Sequence, residues 1–355
     1  MMAPALRRAY GLSLAQTGLL ISMSLIGSLA TLILWGQATD RAGERAVLFA
    51  GLLACGAALV GAAFVHRFAL LALLLAVAGA AGASVQSASG RAVMHWFPPA
   101  QRGLALALRQ TAIPISGFLV SLALPPIEHA GGLAWGFATL GIACVAGAVL
   151  GGLVLREGPQ AEARPGSGVR PLRDRRLWRL SAGSALVIAP QLCVVGFTVV
   201  LLNDLRGMST SAAATVLAVM QFLAIGGRIG AGRWSDLRGT RLGPLRMIAL
   251  AAAATVALAG ALLGAPLTLL LPVLVIAGVV SMSWNSLSFA AAVEIAGHDR
   301  SGIAIGLQQT LLNAPGAAYP ALFGALVAAT SWRFAFFAVA LFPLAGWQVL
   351  RGLRE

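Results

Sequence analysis

Arg109 stands inside an apolar stretch, seven residues beyond Arg102 and directly before Gln110. On a helix this spacing sets the two arginines about 10 Å apart along the axis, deep enough in a bilayer that a lipid-facing guanidinium would be costly. A guanidinium held there pairs well with carboxylate or phosphate, which makes Arg109 a candidate anchor for an anionic solute. Snorkelling to the interface or a helix-packing ion pair are the other uses of such a residue. Further polar groups interrupt apolar runs at Gln86, Gln110, Gln191, Gln221, Trp284, Asn285, Gln308, Gln309 and Asn313. Each is a candidate to line a solute path, and each could equally make an interhelical hydrogen bond. Pro114, Pro315 and Pro320 would bend their helices and leave carbonyl groups free. Nothing resembles an ATP site, and no cluster of His, Asp or Ser at mid-depth could act as a hydrolytic triad, which argues against an enzyme. Cys55, Cys144 and Cys193 lack CxxC spacing and read as small apolar residues, so no metal site and no cofactor are expected.

The elements that hold these residues follow from composition. Of 355 residues 59% are hydrophobic and 10% charged, and the mean hydropathy is +0.88. Such a chain cannot cover a soluble surface, whereas unbroken apolar stretches of about 20 residues are what a bilayer-spanning helix requires. An outer-membrane barrel would instead alternate apolar and polar residues over strands of roughly ten. The sequence therefore predicts an all-α polytopic membrane protein. Its breaks give eleven helices, at 14–36, 46–65, 68–94, 103–125, 131–155, 177–203, 210–231, 244–264, 267–294, 301–329 and 331–351. Residues 1–155 form a first bundle of five, 156–176 an arginine-rich linker with Pro and Gly, and 177–355 a second bundle of six.

The two bundles carry the same signals. Gly36, Asp40, Arg41, Gly43 and Arg45 spell GxxxDRxGxR, and Gly232, Asp236, Gly239 and Arg241 repeat the spacing 196 residues later. The register extends upstream, where Gly11 and Ser13 match Gly207 and Ser209. A second repeat sets GLALALRQT at 103–111 against GIAIGLQQT at 302–310, at an offset of 199. In the first motif the glycines allow close helix approach, and Asp40 and Asp236 are suited to accept hydrogen bonds from a helix amino terminus. The arginines are suited to anchor at the interface. Arg91 and Glu294, near helix ends in the two halves, read as a charge pair or interface anchors.

These residues resemble the major facilitator superfamily of secondary transporters: a doubled GxxxDRxGxR loop, two six-helix halves and a basic central linker. The stretch Trp96, Phe97, Pro98, Pro99, Arg102, Gly103 and the following RQTAIP resemble the loop between the fourth and fifth helices of bacterial members. The resemblance implies two pseudo-symmetric bundles, with the first helix of the family missing here. Either the sequence begins at an internal methionine of a longer product, or the protein has eleven helices. It also implies that the doubled loop serves the conformational cycle, that solute binds between the halves near mid-membrane, that a proton or other ion couples transport, and that the protein is a monomer. Two departures limit this. Leu75 precedes Gly79 where many proton-coupled members carry Arg, and Ile113, Pro114 and Ile115 replace the glycine-rich signature of drug antiporters.

The net charge of +14 comes entirely from arginine over acid and does not point to nucleic acid. Arg41, Arg45, Arg102, the linker, Arg233, Arg238, Arg241, Arg246, Arg300, Arg351 and Arg354 fall on one predicted side; Arg7, Arg8, Arg67, Arg206 and Arg333 fall on the other. By the positive-inside rule the motif loops, linker and carboxyl end are cytoplasmic, in a bacterial inner membrane. The expected function is secondary transport of a small solute, an organic anion. The alternatives are an exporter of apolar or cationic compounds and a non-transporting membrane sensor derived from a transporter.

Overall fold

The computed structural model describes residues 10–11, 14–155, 171–297, 300–316 and 318–353. Among them there is no strand, and every stretch expected to span is helical. The chain runs through α1 (Leu14–Ala42), α2 (Glu44–Ala62), α3 (Phe68–Gly82), α4 (Ser84–Trp96) and α5 (Arg102–Val154). It continues with α6 (Arg175–Pro190), a π-helical turn (Gln191–Val195), α7 (Gly196–Arg206), α8 (Thr210–Arg238) and α9 (Leu242–Ala261). The last elements are α10 (Leu267–Ser281), α11 (Asn285–Ala296), α12 (Ser301–Gly316), α13 (Tyr319–Ala329) and α14 (Trp332–Arg351). Among the described residues nine helical runs are long and apolar enough to cross a membrane.

Several expected single helices are broken in the middle. The span 68–94 divides at Ala83, 267–294 at residues 282–284, and 301–329 just after Pro315. The break expected at 125–131 is placed differently. Helix α5 continues through Pro125 and Pro126, and the one non-helical residue within it is Gly132, at φ 70° and ψ −169°. A straight helix of 53 residues would be about 80 Å long, far more than the ~30 Å of hydrocarbon in a bilayer. Gly132 is thus where one span ends and the next begins, in a conformation that disfavours any residue with a Cβ.

The chain forms two compact units, Met1–Trp96 with Ala112–Gly168 and Gly297–Thr310, and Phe97–Thr111 with Val169–Ala296 and Leu311–Glu355. In the first unit α1 meets α3 where a Cβ on Gly27 would strike the Ala76 carbonyl and one on Gly79 the Ser24 carbonyl. Close backbone approach of this kind is how helices associate in lipid, where burial of apolar surface gives no drive. Leu20, Leu71, Leu124 and Phe137 fill its core, and the Cys55 and Cys144 thiols lie 3.9 Å apart between α2 and the second span of α5. The second unit packs Phe197, Trp332 and Phe336 edge to face around Phe323, with Leu201, Met220 and Leu274 in the same core. Of the expected linker, 156–170 lie outside the described residues. Asp174 caps α6, its carboxylate accepting the Arg176 N–H at 2.8 Å.

Candidate functional site

Each motif copy ends a helix and holds the start of another. Gly43 takes φ 82° between α1 and α2, and Gly239 takes φ 64° at the end of α8. The equivalent glycines upstream, Gly11 and Gly207, share φ values of 61° and 59°; Ser13 lies outside the described residues. In the first unit the Asp40 carboxylate accepts the backbone N–H groups of Gly302 at 2.9 Å and Ile303 at 3.0 Å, the opening of α12. In the second unit Asp236 accepts those of Gly103 at 3.0 Å and Leu104 at 2.8 Å, the opening of α5. These N–H groups have no partner within their own helix, and the positive end of the helix dipole favours a carboxylate there. Side chains at Gly36 or Gly232 would collide with the backbone of Gly302 or Gly103, so both glycines permit the approach. Each latch therefore joins the motif of one repeat to the helix start of the other.

The charges around the latches are not symmetric. Arg241 is 4% exposed and bonds Asp236, the Ser235 hydroxyl at 3.0 Å and Glu294 at 2.9 Å. Its repeat equivalent, Arg45, is exposed and donates to the Gly152 carbonyl at 2.7 Å. Arg241 is thus an internal ion-pair member and not an interface anchor. In the first unit the cation is instead Arg91, 4.0 Å from Asp40 and 3.9 Å from Glu44, donating also to the Thr39 carbonyl. His95 pairs with Glu44 at 3.3 Å. Arg91 and Glu294 thus serve the latches, each as a member of an ion pair within its own unit. Arg41 is exposed.

Of the proposed solute-binding residues, Gln86 and Gln309 belong to the first unit; Arg109, Gln110, Gln191, Gln221, Trp284, Asn285 and Asn313 belong to the second. Arg109 is half-buried and donates to the Gln110 side-chain oxygen at 3.1 Å. Gln191 opens the π-helical turn after Pro190, near the centre of the run from Arg175 to Arg206. Asn285 opens α11 directly after the break in which Trp284 lies fully buried. The side-chain oxygens of Gln191, Gln221 and Asn285 and the Trp284 indole nitrogen are buried with no hydrogen-bond partner among the described residues. Serine hydroxyls elsewhere in both units, Ser84 and Ser281 among them, are buried in the same way, so these four atoms do not by themselves mark a ligand. Gln308 and Gln309 are buried on α12 and Asn313 is half-buried.

One residue of this unit was overlooked in the sequence. Arg228 lies ten residues before the end of α8, about 15 Å along the axis, and is 5% exposed. Its Nε donates to the Met282 carbonyl and its Nη1 to the Gln110 carbonyl, both at 3.0 Å. Both acceptors are carbonyls that helical bonding leaves free. Residue 114, which would donate to Gln110, is proline and has no N–H, and Met282 follows the end of α10. The signal was available, because the depth argument used for Arg109 applies to any arginine inside an apolar run.

Residues 1–320 match the family model described as Major Facilitator Superfamily. An uncharacterized MFS-type transporter of Mycobacterium tuberculosis is 37% identical over 348 residues, covering 96% of this chain and 78% of that protein. A probable sulfoacetate transporter of Cupriavidus necator is 26% identical over 356 residues, covering 92% and 82%. The crystal structure of the E. coli fucose:proton symporter superposes with a TM-score of 0.78 at 19% identity, covering all of this chain and 93% of that one.

Proposed function

We propose that this chain, which belongs to the major facilitator superfamily of membrane transporters, carries a small organic anion across the membrane by alternating access. The observation that carries the reading is Arg109: a guanidinium held within α5, oriented by the Gln110 side chain, where a neutral solute would have no need of a fixed charge. Anchoring a carboxylate or a similar acid group is the chemistry a planar, permanently charged donor serves best. The relative whose name specifies sulfoacetate supports an acidic solute. Gln110, Gln191, Gln221, Trp284, Asn285 and Asn313, with Gln86 and Gln309, supply orienting hydrogen bonds along the path.

In this reading the moving parts are the repeats at 1–155 and 177–355, joined by the basic segment 156–176. The Asp40 and Asp236 latches form and release once per cycle, each by exchanging protein N–H groups for water. The motif loops, linker and carboxyl end face the cytoplasm, and a proton or other ion supplies the drive. The chemistry is transport and not bond-making.

Ligand-dependent melting of the purified protein tests the reading, with carboxylates, phosphates, sugars and hydrophobic cations offered to the wild type and to Arg109→Gln. A ligand that binds only the folded protein raises its melting temperature in proportion to occupancy. Stabilisation by carboxylates or phosphates that disappears in the variant is the expected result. Stabilisation by hydrophobic cations, or equal anion stabilisation of both proteins, would overturn the assignment of Arg109.

A further inference from the structure

Arg228 has acceptors for two of its donors but, among the described residues, no partner for its charge. Two of its five N–H groups reach the Gln110 and Met282 carbonyls. No carboxylate pairs with it, and its Nη2 has no acceptor, among the described residues. Neutral carbonyls could be satisfied equally by a glutamine or a serine, so they explain the hydrogen bonds and leave the guanidinium unexplained. A buried cation at this depth in a membrane is costly unless something compensates it. Gln110 is a residue that Arg228 shares with another cation: its backbone oxygen accepts from Arg228 and its side-chain oxygen accepts from Arg109. Two guanidinium groups are thereby tied to a single residue of α5.

We infer that Arg228 is a second solute-binding cation and that the transported solute is a compact dianion, with one acid group on Arg109 and the other on Arg228. This rests on the organic-anion reading of Arg109 and narrows it to a charge class. The remaining N–H groups of Arg228 form a fork that donates two parallel bonds to a carboxylate, sulfonate or phosphate. Pro114 has a part in the arrangement, because by lacking an N–H it leaves the Gln110 carbonyl to hold Arg228 in place. A monoanion would leave one of the two cations without its counter-charge, and that penalty discriminates by charge number instead of by shape.

Titration calorimetry on the full chain in nanodiscs tests this, with malonate, succinate and sulfoacetate as dianions and acetate and propionate as monoanions. Wild type should bind at least one dianion about tenfold or more tighter than the monoanions, the range expected of one added charge-assisted contact. Arg228→Gln should lower the dianion affinity by about tenfold more than the monoanion affinity, so that the preference collapses. Arg228→Lys keeps the charge, and should keep a measurable preference even if the glutamine variant does not fold. Monoanions bound as tightly as dianions by wild type, or a preference undiminished in Arg228→Gln, would overturn the inference while leaving an anion carrier anchored by Arg109. Binding of none of these anions by wild type would overturn the anion reading itself, and this inference with it.

Discussion

The Asp236 latch should be the harder of the two to lose, and the difference can be worked from the contacts. Asp236→Asn leaves one acceptor oxygen where two served Gly103 and Leu104. One N–H bond disappears and the other becomes neutral. At ~1.5–3 kcal/mol for a bond to a charged group and ~1 kcal/mol for a neutral one, the loss is about 2–5 kcal/mol. The buried Arg241 also loses the nearer of its two carboxylates, retaining Glu294 at 2.9 Å. Asp40→Asn sacrifices the same kind of helix-start bonds at Gly302 and Ile303. Its cation, however, stands 4.0 Å off and keeps Glu44 and the Thr39 carbonyl, so the second contribution is nearly absent. A difference of about 1.4 kcal/mol would shift the open population of one latch tenfold relative to the other. Pulsed dipolar spectroscopy reads both, using spin labels at Gln101 and Arg238 for one latch and at Arg41 and Arg300 for the other in a cysteine-free background. Wild type should give one short distance at each pair. Asp236→Asn should move most molecules to a longer distance at its pair, and Asp40→Asn a smaller share at its own. Unchanged distributions in both variants, or a larger effect of Asp40→Asn, would refute this reasoning.

Valine at Gly36 or Gly232 should disrupt the same contacts sterically, because the new Cβ meets the backbone of Gly302 or Gly103. An overpacking cost of about 1–3 kcal/mol is expected, seen as a lowered melting temperature, and variants that melt like wild type would show that the helices do not approach as closely. The Cys55 and Cys144 thiols, 3.9 Å apart, should be converted by copper phenanthroline to a disulfide, each thiol giving a proton and an electron to the oxidant. Maleimide labelling after denaturation should then find only Cys193 of the three free cysteines; three labelled thiols would sink the prediction.

What was legible in one dimension and what was not divides along physical lines. Spans announce themselves because a bilayer core demands about 20 apolar residues whatever their order. Breaks inside a span do not, because hydropathy runs straight across Ala83, Gln191 and residues 282–284. The turn expected between 125 and 131 lies at Gly132, because proline is tolerated within membrane helices and the reversal needed a glycine to hold φ 70°. The acceptor role of Asp40 and Asp236 could be read from residue type and position at a helix end. Their partners could not, since nothing in the spacing says that the motif at 36–45 meets the helix start at 302 and the one at 232–241 meets that at 103. The charge asymmetry, Arg91 serving one latch and Arg241 the other, likewise depends on which side chains converge in space.

The duplication itself supplies a way to separate machinery from specificity. Where the repeats agree, at Gly36 and Gly232, Asp40 and Asp236, Gly43 and Gly239, Gly103 and Gly302, they build the same contact twice. A contact that both repeats need belongs to motion common to both. At two positions within the apolar spans they disagree by a charge: Arg228 occupies the position of Leu32, and Arg109 the position of Gln308. Leu32 is buried, and a Cβ on Gly306 would meet its carbonyl, so the first repeat meets the packing requirement of this position with hydrocarbon alone. The cation in the second repeat is therefore not demanded by the fold. A duplicated scaffold supplies an internal control wherever a buried charge has an uncharged counterpart, and Arg109 and Arg228, which join neither latch, are the two proposed to hold the solute.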